Sequence, residues 1–289
     1  MRTYVFSGFA DEAGKTVERQ MDVLEKNGIY MIEMRGVDGG HVIDKSDEAL
    51  KVLKDKMDKR GFSVSAIGSP VGKSPVEEDF GAAKATFMKA VNAAKILCSK
   101  YIRAFSFYIP KDGDPMLYAD EVVRRMKELI KIAEDNGIAY GLENESGIFT
   151  DIPSRCLYVI DAIGSSSLKM AFDPGNFIMN GAAPYPGAYD VLKSHIGYFH
   201  IKDATTEPRR FVPSGEGESD MGALLAAAYA DGFDGVLSIE PHLKYIEGIN
   251  DAQRFTTAAN ALKRTLNASL GANLAIADLS EFSGFADGV

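Results

Sequence analysis

Cysteine is scarce in this chain of 289 residues: Cys98 and Cys156 are the only two, and neither sits in a CxxC or CxxH spacing. That excludes a zinc knuckle or a redox pair, and both thiols are expected to be buried, reduced and structural within helices. Histidine is almost as sparse, with His41, His195, His200 and His242. No run of about 18 apolar residues occurs, so no membrane span is expected. The apolar start, MRTYVFSGF, is too short for a signal peptide and lacks its cleavage pattern, which makes the cytoplasm the default location. Positive charge is in deficit as well. A formal net charge of −9 and a pI near 5.1 argue against a general nucleic-acid binder, because phosphate contacts need clustered Lys and Arg.

What the chain does have is a repeated phrase of apolar run, loop, amphipathic stretch and stop. With 46% hydrophobic and 25% charged residues it can bury a sizeable core. Tyr4 to Phe6 reads as a strand, and Val17, Met21 and Leu24 recur at helical spacing before Asn27-Gly28. Met31 to Met34 precedes a helix from Ser46 to Lys59, and Phe62 to Ile67 precedes one from about Phe80 to Cys98 across a turn-rich loop. Tyr101 to Phe107 is read as strand four, and Ile138 to Leu142 as strand five. Two further runs, ending at Phe172 and Phe199, flank a helix-like segment. The eighth strand, Gly235 to Ile239, leads to a last helix from about Ile249 to Leu266. Eight such phrases with near-continuous apolar strands predict a closed (β/α)8 TIM barrel over residues 1–266, with a C-terminal tail over 267–289 that packs on the barrel or on a partner subunit. A doubly wound open sheet is the alternative, weakened because no Gly-rich fingerprint follows the first strand.

Four of the later strands end on a metal-capable side chain: Glu143, Asp173, His200 and Glu240. In a parallel barrel these ends share one face, where the loops carry chemistry. Three carboxylates and an imidazole suit one divalent ion, Mn²⁺, Mg²⁺, Co²⁺ or Zn²⁺, rather than copper or an iron-sulfur cluster. Taken singly, each residue is better read as a helix cap, a solvated carboxylate or a core histidine. It is the succession of four that points to a site.

The segments GLENESG, MAFDPGN, YFHIKDA and LSIEPH, in this order, resemble the metal-site segments of the xylose isomerase-like barrel family. That family includes ketose 3-epimerases, hydroxypyruvate isomerases, inosose dehydratases and the endonuclease IV branch. The similarity runs from about Thr3 to Leu266 and takes in SGEGESDMGALLAAAYADGFDG. It implies a divalent metal held by Glu143, Asp173, His200 and Glu240, with Glu143 and Glu240 doubling as the acid/base pair of a sugar isomerase or 3-epimerase. A small keto sugar or polyol is the implied substrate, and proton transfer through an enediolate-like intermediate the implied chemistry. An inosose-type dehydratase is the nearest alternative, followed by a non-catalytic sugar-binding barrel with a residual metal site. Pairing of barrels into a homo-oligomer is common in the family.

Two departures stand out. Many epimerases carry His three residues after the metal-binding Asp, where this chain has Asn176, and Glu145 stands where relatives often have His. Four histidines are too few for the zinc cluster of the nuclease branch. Substrate contacts are expected from Asn176, from Glu33, which an Arg35 salt bridge would otherwise occupy, from Arg209 in the loop after strand seven, and from His242. Lys73 is a weaker candidate to cover the pocket. One of Lys202 and Asp203, which follow His200, is expected to orient the ligand or its loop, with Asp203 as the residue behind the ligand.

Overall fold

The computed structural model describes residues 3–271 and 275–276. Eight strands are parallel throughout: β1 (Thr3–Gly8), β2 (Met31–Met34), β3 (Ser63–Gly68), β4 (Tyr101–Ala104), β5 (Ala139–Glu143), β6 (Leu168–Phe172), β7 (Ile196–Ile201) and β8 (Val236–Ile239). Each pairs with the next, and β8 pairs back onto β1 from Val5↔Val236 to Gly8↔Ile239, closing the barrel. The helices that cover it are α1 (Val17–Lys26), α2 (Asp47–Asp58), α3 (Phe80–Ile96), α4 (Ala119–Asp135), α5 (Pro153–Ile163), α6 (Pro174–Met179), α7 (Met221–Asp231) and α8 (Asp251–Leu270). Their starts follow from local chemistry. Thr16 and Ser46 accept the free N–H groups of Arg19 and Ala49, and Asn250 forms a reciprocal capping box with Gln253.

Side chains alternate across each strand, so one set faces the helices and the other the barrel interior. The outward set, with Tyr4, Ile32, Ile102 and Leu142, merges with the helix faces into one large core. The inward set has a lower apolar layer of Val5, Met31, Ala66, Ala171, Tyr198 and Val236. Nearer the C-terminal ends of the strands, the inward positions include Ser7, Glu33, Arg103, Glu143, His200 and Ser238, all buried. The barrel interior is therefore apolar below and polar above.

Several boundaries differ from the sequence reading. Strand four stops at Ala104, because the Phe105 and Phe107 amides leave the ladder for the carbonyls of Val71 and Gly72. The crossover between β6 and β7 is no single helix but α6, an irregular turn over Pro184–Ala188 and a short helix Tyr189–Leu192, since Gly181, Pro184 and Pro186 interrupt it. The loop after β7 holds an antiparallel hairpin, Asp203–Thr206 with Arg209–Val212. Cys156 is buried in α5 as expected, but Cys98 is exposed, just past α3 at φ 57. Of the tail, α8 reaches Leu270 and Ala275–Ile276 pair with Thr3 and Tyr4 of β1; the rest of the 267–289 expectation lies outside the described residues.

Candidate metal centre

Glu143 is the last residue of β5, Asp173 follows β6, His200 lies near the end of β7, and Glu240 follows β8. Their inward pleat brings one ligand atom from each within 4.8 Å of the other three. All four are at most 4% exposed, so their charges need partners from within the protein.

Each ligand is held in place by a second residue. Asp173 caps α6, its Oδ1 accepting the Asn176 N–H at 2.8 Å, and its backbone is clamped by Asn144, whose amide donates to Asp173 O at 2.8 Å and accepts from Asp173 N at 3.0 Å. Asn176 Nδ2 donates to Glu143 Oε1 at 3.2 Å, while Glu143 Oε2 lies 3.1 Å from the Arg103 guanidinium. On Glu240, Oε1 accepts from Arg35 at 3.1 Å and faces His242 Nε2 at 3.3 Å; Oε2 accepts from Lys202 Nζ at 2.7 Å.

His200 shows its role through its two nitrogens. Nε2 lies 3.2 Å from Glu33 Oε1, which also accepts the Tyr198 hydroxyl at 3.1 Å. A carboxylate only accepts, so Nε2 carries the hydrogen and the Nδ1 lone pair is turned toward Glu143, Asp173 and Glu240, at 3.3, 3.8 and 4.0 Å. Among the described residues, His200 Nδ1 has no directed hydrogen bond, while Asp173 Oδ2 meets the Lys202 ammonium at 2.7 Å. A buried ring nitrogen without one, facing the same point as three carboxylate oxygens, fits a metal ion.

The charge balance gives the same answer. Four buried carboxylates, Glu33, Glu143, Asp173 and Glu240, meet two fully buried cations, Arg103 and Lys202. Arg35 and His242 also touch Glu240 but bring Asp11 and Glu12 with them, so this outer pair of cations is offset by an outer pair of carboxylates. The remaining two negative charges match a divalent ion. Without one, the protons redistribute. Burial opposes charge on His200, but Glu33 and Glu143 outweigh it and raise its pKa well above the ordinary histidine value. Burial pushes Glu143 up, yet His200 and Arg103 hold it down at about 2, and Lys202 and His242 likewise overcome burial to hold Glu240 well below the usual carboxylate range. Asp173 moves the other way, because burial exceeds the pull of Lys202. His242 is resisted by burial and raised to about 9 by Glu240.

A model of the xylose isomerase-like TIM barrel matches residues 21–265. The chain belongs to that family. Among solved structures, chains of like fold include the IolI protein with a bound zinc atom (19% identity, TM-score 0.76, covering 93% of this chain and 99% of that one). An L-ribulose 3-epimerase aligns at 17% identity and TM-score 0.72, over 93% of this chain and 95% of that chain. AsbF of Bacillus anthracis, described as a probable 3-DHS dehydratase, aligns at 16% identity and TM-score 0.73, over 91% and 99%. A protein of Methanocaldococcus jannaschii, MJ1311, is 28% identical over 162 residues, 52% of this chain and 54% of that protein. The chain thus spans about half the length of that curated relative.

The structure brings together the four side chains expected as ligands and places the expected substrate contacts elsewhere, His242 excepted. Asn176 is turned onto Glu143 and the Asn144 carbonyl, so both its amide hydrogens serve the protein. Glu33 lies beneath His200, and the expected Glu33–Arg35 bridge does not form: Arg35 goes instead to Asp11, Glu12 and Glu240. Arg209 donates to the Met179 carbonyl on α6 rather than to the cluster. His242 does reach the site, against Glu240 and Glu12 and edge-on to Phe211. Lys73 pairs with Glu145 at 2.8 Å above the Phe105 ring. Asp203 orders the loop rather than the metal ligands, accepting from the amides of Ala204, Gly215, Gly217 and Ser219.

Arg103, Asn144 and Asp11 were not singled out from the sequence. Arg103 had a signal, a charge at the inward parity of YIRAF, the same parity that carries Glu143 in AYGLE. Asp11 had none, since only the fold brings it 2.8 Å from Arg35.

Proposed function

We propose that this protein is a divalent-metal-dependent isomerase or 3-epimerase of a small keto sugar or related polyol. The observation that carries the reading is the convergence of Glu143, Asp173, His200 Nδ1 and Glu240 at the C-terminal mouth of the barrel, with two of the carboxylates held anionic. A divalent ion bound by these four supplies Lewis-acid polarisation of neighbouring substrate oxygens. The rest falls to the chain's own side chains. Glu143 and Glu240 stand on either side of Asp173 and His200 in the ring of strands, and each is ionised at neutral pH and so able to accept a proton from a carbon next to a carbonyl. Delivery of a proton to the opposite face of the same carbon by the other glutamate gives epimerisation; delivery to the neighbouring carbon gives isomerisation. Arg103 beside Glu143, and Arg35 beside Glu240, keep each carboxylate oriented during the transfer. Burial of the cluster keeps bulk water from the enediolate-like species that forms between the two steps.

The test is a screen of ketoses, inososes and hydroxypyruvate with the metal-loaded protein in D₂O, followed by NMR. Deuterium uptake at the carbon alpha to the carbonyl is expected for one of these substrates, with loss of at least a hundredfold in Glu240→Gln while the far-UV spectrum is kept. Turnover that survives Glu240→Gln contradicts the acid/base assignment. Deuterium exchange accompanied by loss of water assigns the dehydration that shares this first step.

A further inference from the structure

Among the described residues, Lys202 is the buried cation that lies against the ligand oxygens facing the ion that the four would hold. It follows His200 and Ile201 on the chain, and its side chain is 2% exposed. Nζ lies 2.7 Å from Asp173 Oδ2 and 2.7 Å from Glu240 Oε2, and 4.0 Å from Glu143 Oε1. All three are the oxygens that face His200 Nδ1, so the ammonium shares its partners with the metal seat.

The surroundings are built to keep it there. Gly175, at the start of α6, leaves no room for a side chain: a Cβ would lie 2.8 Å from Lys202 O and 3.0 Å from Lys202 Cγ. Above the ammonium stands the Phe211 ring, 4.9 Å away, carried by the hairpin that returns over the site. Phe211 is backed by Ile178, Met179 and Ala204. Lysine is thus confined by backbone on one side and by an aromatic face on the other, a setting that favours a cation.

We propose that Lys202 is a built-in counter-cation that holds Asp173 and Glu240 together in the metal-free protein and lowers the affinity of the site for its divalent ion. The proposal rests on the metal reading given above. Unlike charges at 2.7 Å attract strongly when buried, so the metal-free barrel mouth stays folded despite its acidic residues. The same proximity places a positive charge beside any incoming cation, which weakens binding and keeps the ion exchangeable. The direction of the effect is diagnostic: damage to a site loosens metal binding, whereas removal of a competing charge tightens it.

The experiment compares the wild type with Lys202→Met and Lys202→Gln, each freed of metal by chelation, by calorimetric titration with Mn²⁺ and by thermal melting with and without Mn²⁺. Expected are about tenfold tighter Mn²⁺ binding in both variants, lower melting temperatures of their metal-free forms, and a larger rise on Mn²⁺ addition than in the wild type. Should the Met variant not fold, the Gln variant gives the same reading. Asp173→Asn serves as the control that marks the site. Equal or weaker Mn²⁺ binding in the folded Lys202 variants overturns the proposal while leaving the metal reading intact. Binding by the variants alone supports it. Absence of Mn²⁺ binding in the wild type and both Lys202 variants overturns the metal reading and the proposal together.

Discussion

At the scale of single residues, the site depends on which atom of each side chain faces inward. Glu33 fixes the hydrogen on Nε2 of His200 and so frees Nδ1. Glu33→Gln keeps the shape but offers an amide that can present its NH₂ to the ring, and divalent-metal affinity is expected to fall about 10- to 100-fold, measured by competition with a chromophoric chelator. His242 supplies a pH dependence. Its folded pKa is raised to about 9 from an ordinary 6.5, so the stabilisation it contributes is fully present below about pH 6.5 and is lost as pH rises through about 9. The metal-free protein is expected to melt at lower temperature at pH 9 than at pH 6.5, and His242→Gln to flatten that slope in scanning calorimetry. A slope unchanged in the variant would place the titration elsewhere.

Among the elements, the loops after the strands divide the work. Those after β3, β4 and β5 are stitched together by main-chain bonds, with the Phe107 amide on Gly72 O and the Ile109 amide on Gly147 O, and form a fixed wall. Gly72 has to be glycine there: its φ is +84, and a Cβ would lie 2.2 Å from Phe105 O. The loop after β7 is organised by Asp203 instead. Asp203→Ala removes the acceptor of four buried or half-buried amides and is expected to cost roughly 3 kcal/mol in urea unfolding, with new protease sensitivity between residues 213 and 219. This division also explains what the sequence made legible. Apolar runs that break at Glu143, Asp173, His200 and Glu240 advertise both the strand and its functional end, because a buried parallel strand tolerates few charges. Arg103 and Glu33 were harder to read, since a charge inside a short apolar run makes sense only once the pleat shows that it faces the barrel interior. The contacts of Asn176 and Arg209 were illegible for another reason: their partners, Glu143 and the Met179 carbonyl, lie about 30 residues away on other elements.

For the molecule as a whole, the barrel solves a charge problem that an isolated cluster could not. The chain carries net charge −9, and its mouth gathers four buried carboxylates against two fully buried cations. Closing the sheet brings Arg103 from β4, Lys202 from the end of β7 and Arg35 from the end of β2 onto one ring of strand ends, which no linear spacing displays. Among the described residues no helix is long and apolar enough to cross a membrane, and the family match spans residues 21–265. One divalent ion would complete this ring. Anomalous diffraction from crystals grown with Mn²⁺, recorded at the manganese edge, tests it most directly. A single peak enclosed by Glu143, Asp173, His200 Nδ1 and Glu240 is predicted; no peak there, a cluster of three ions, or ligation through His200 Nε2 would contradict the account.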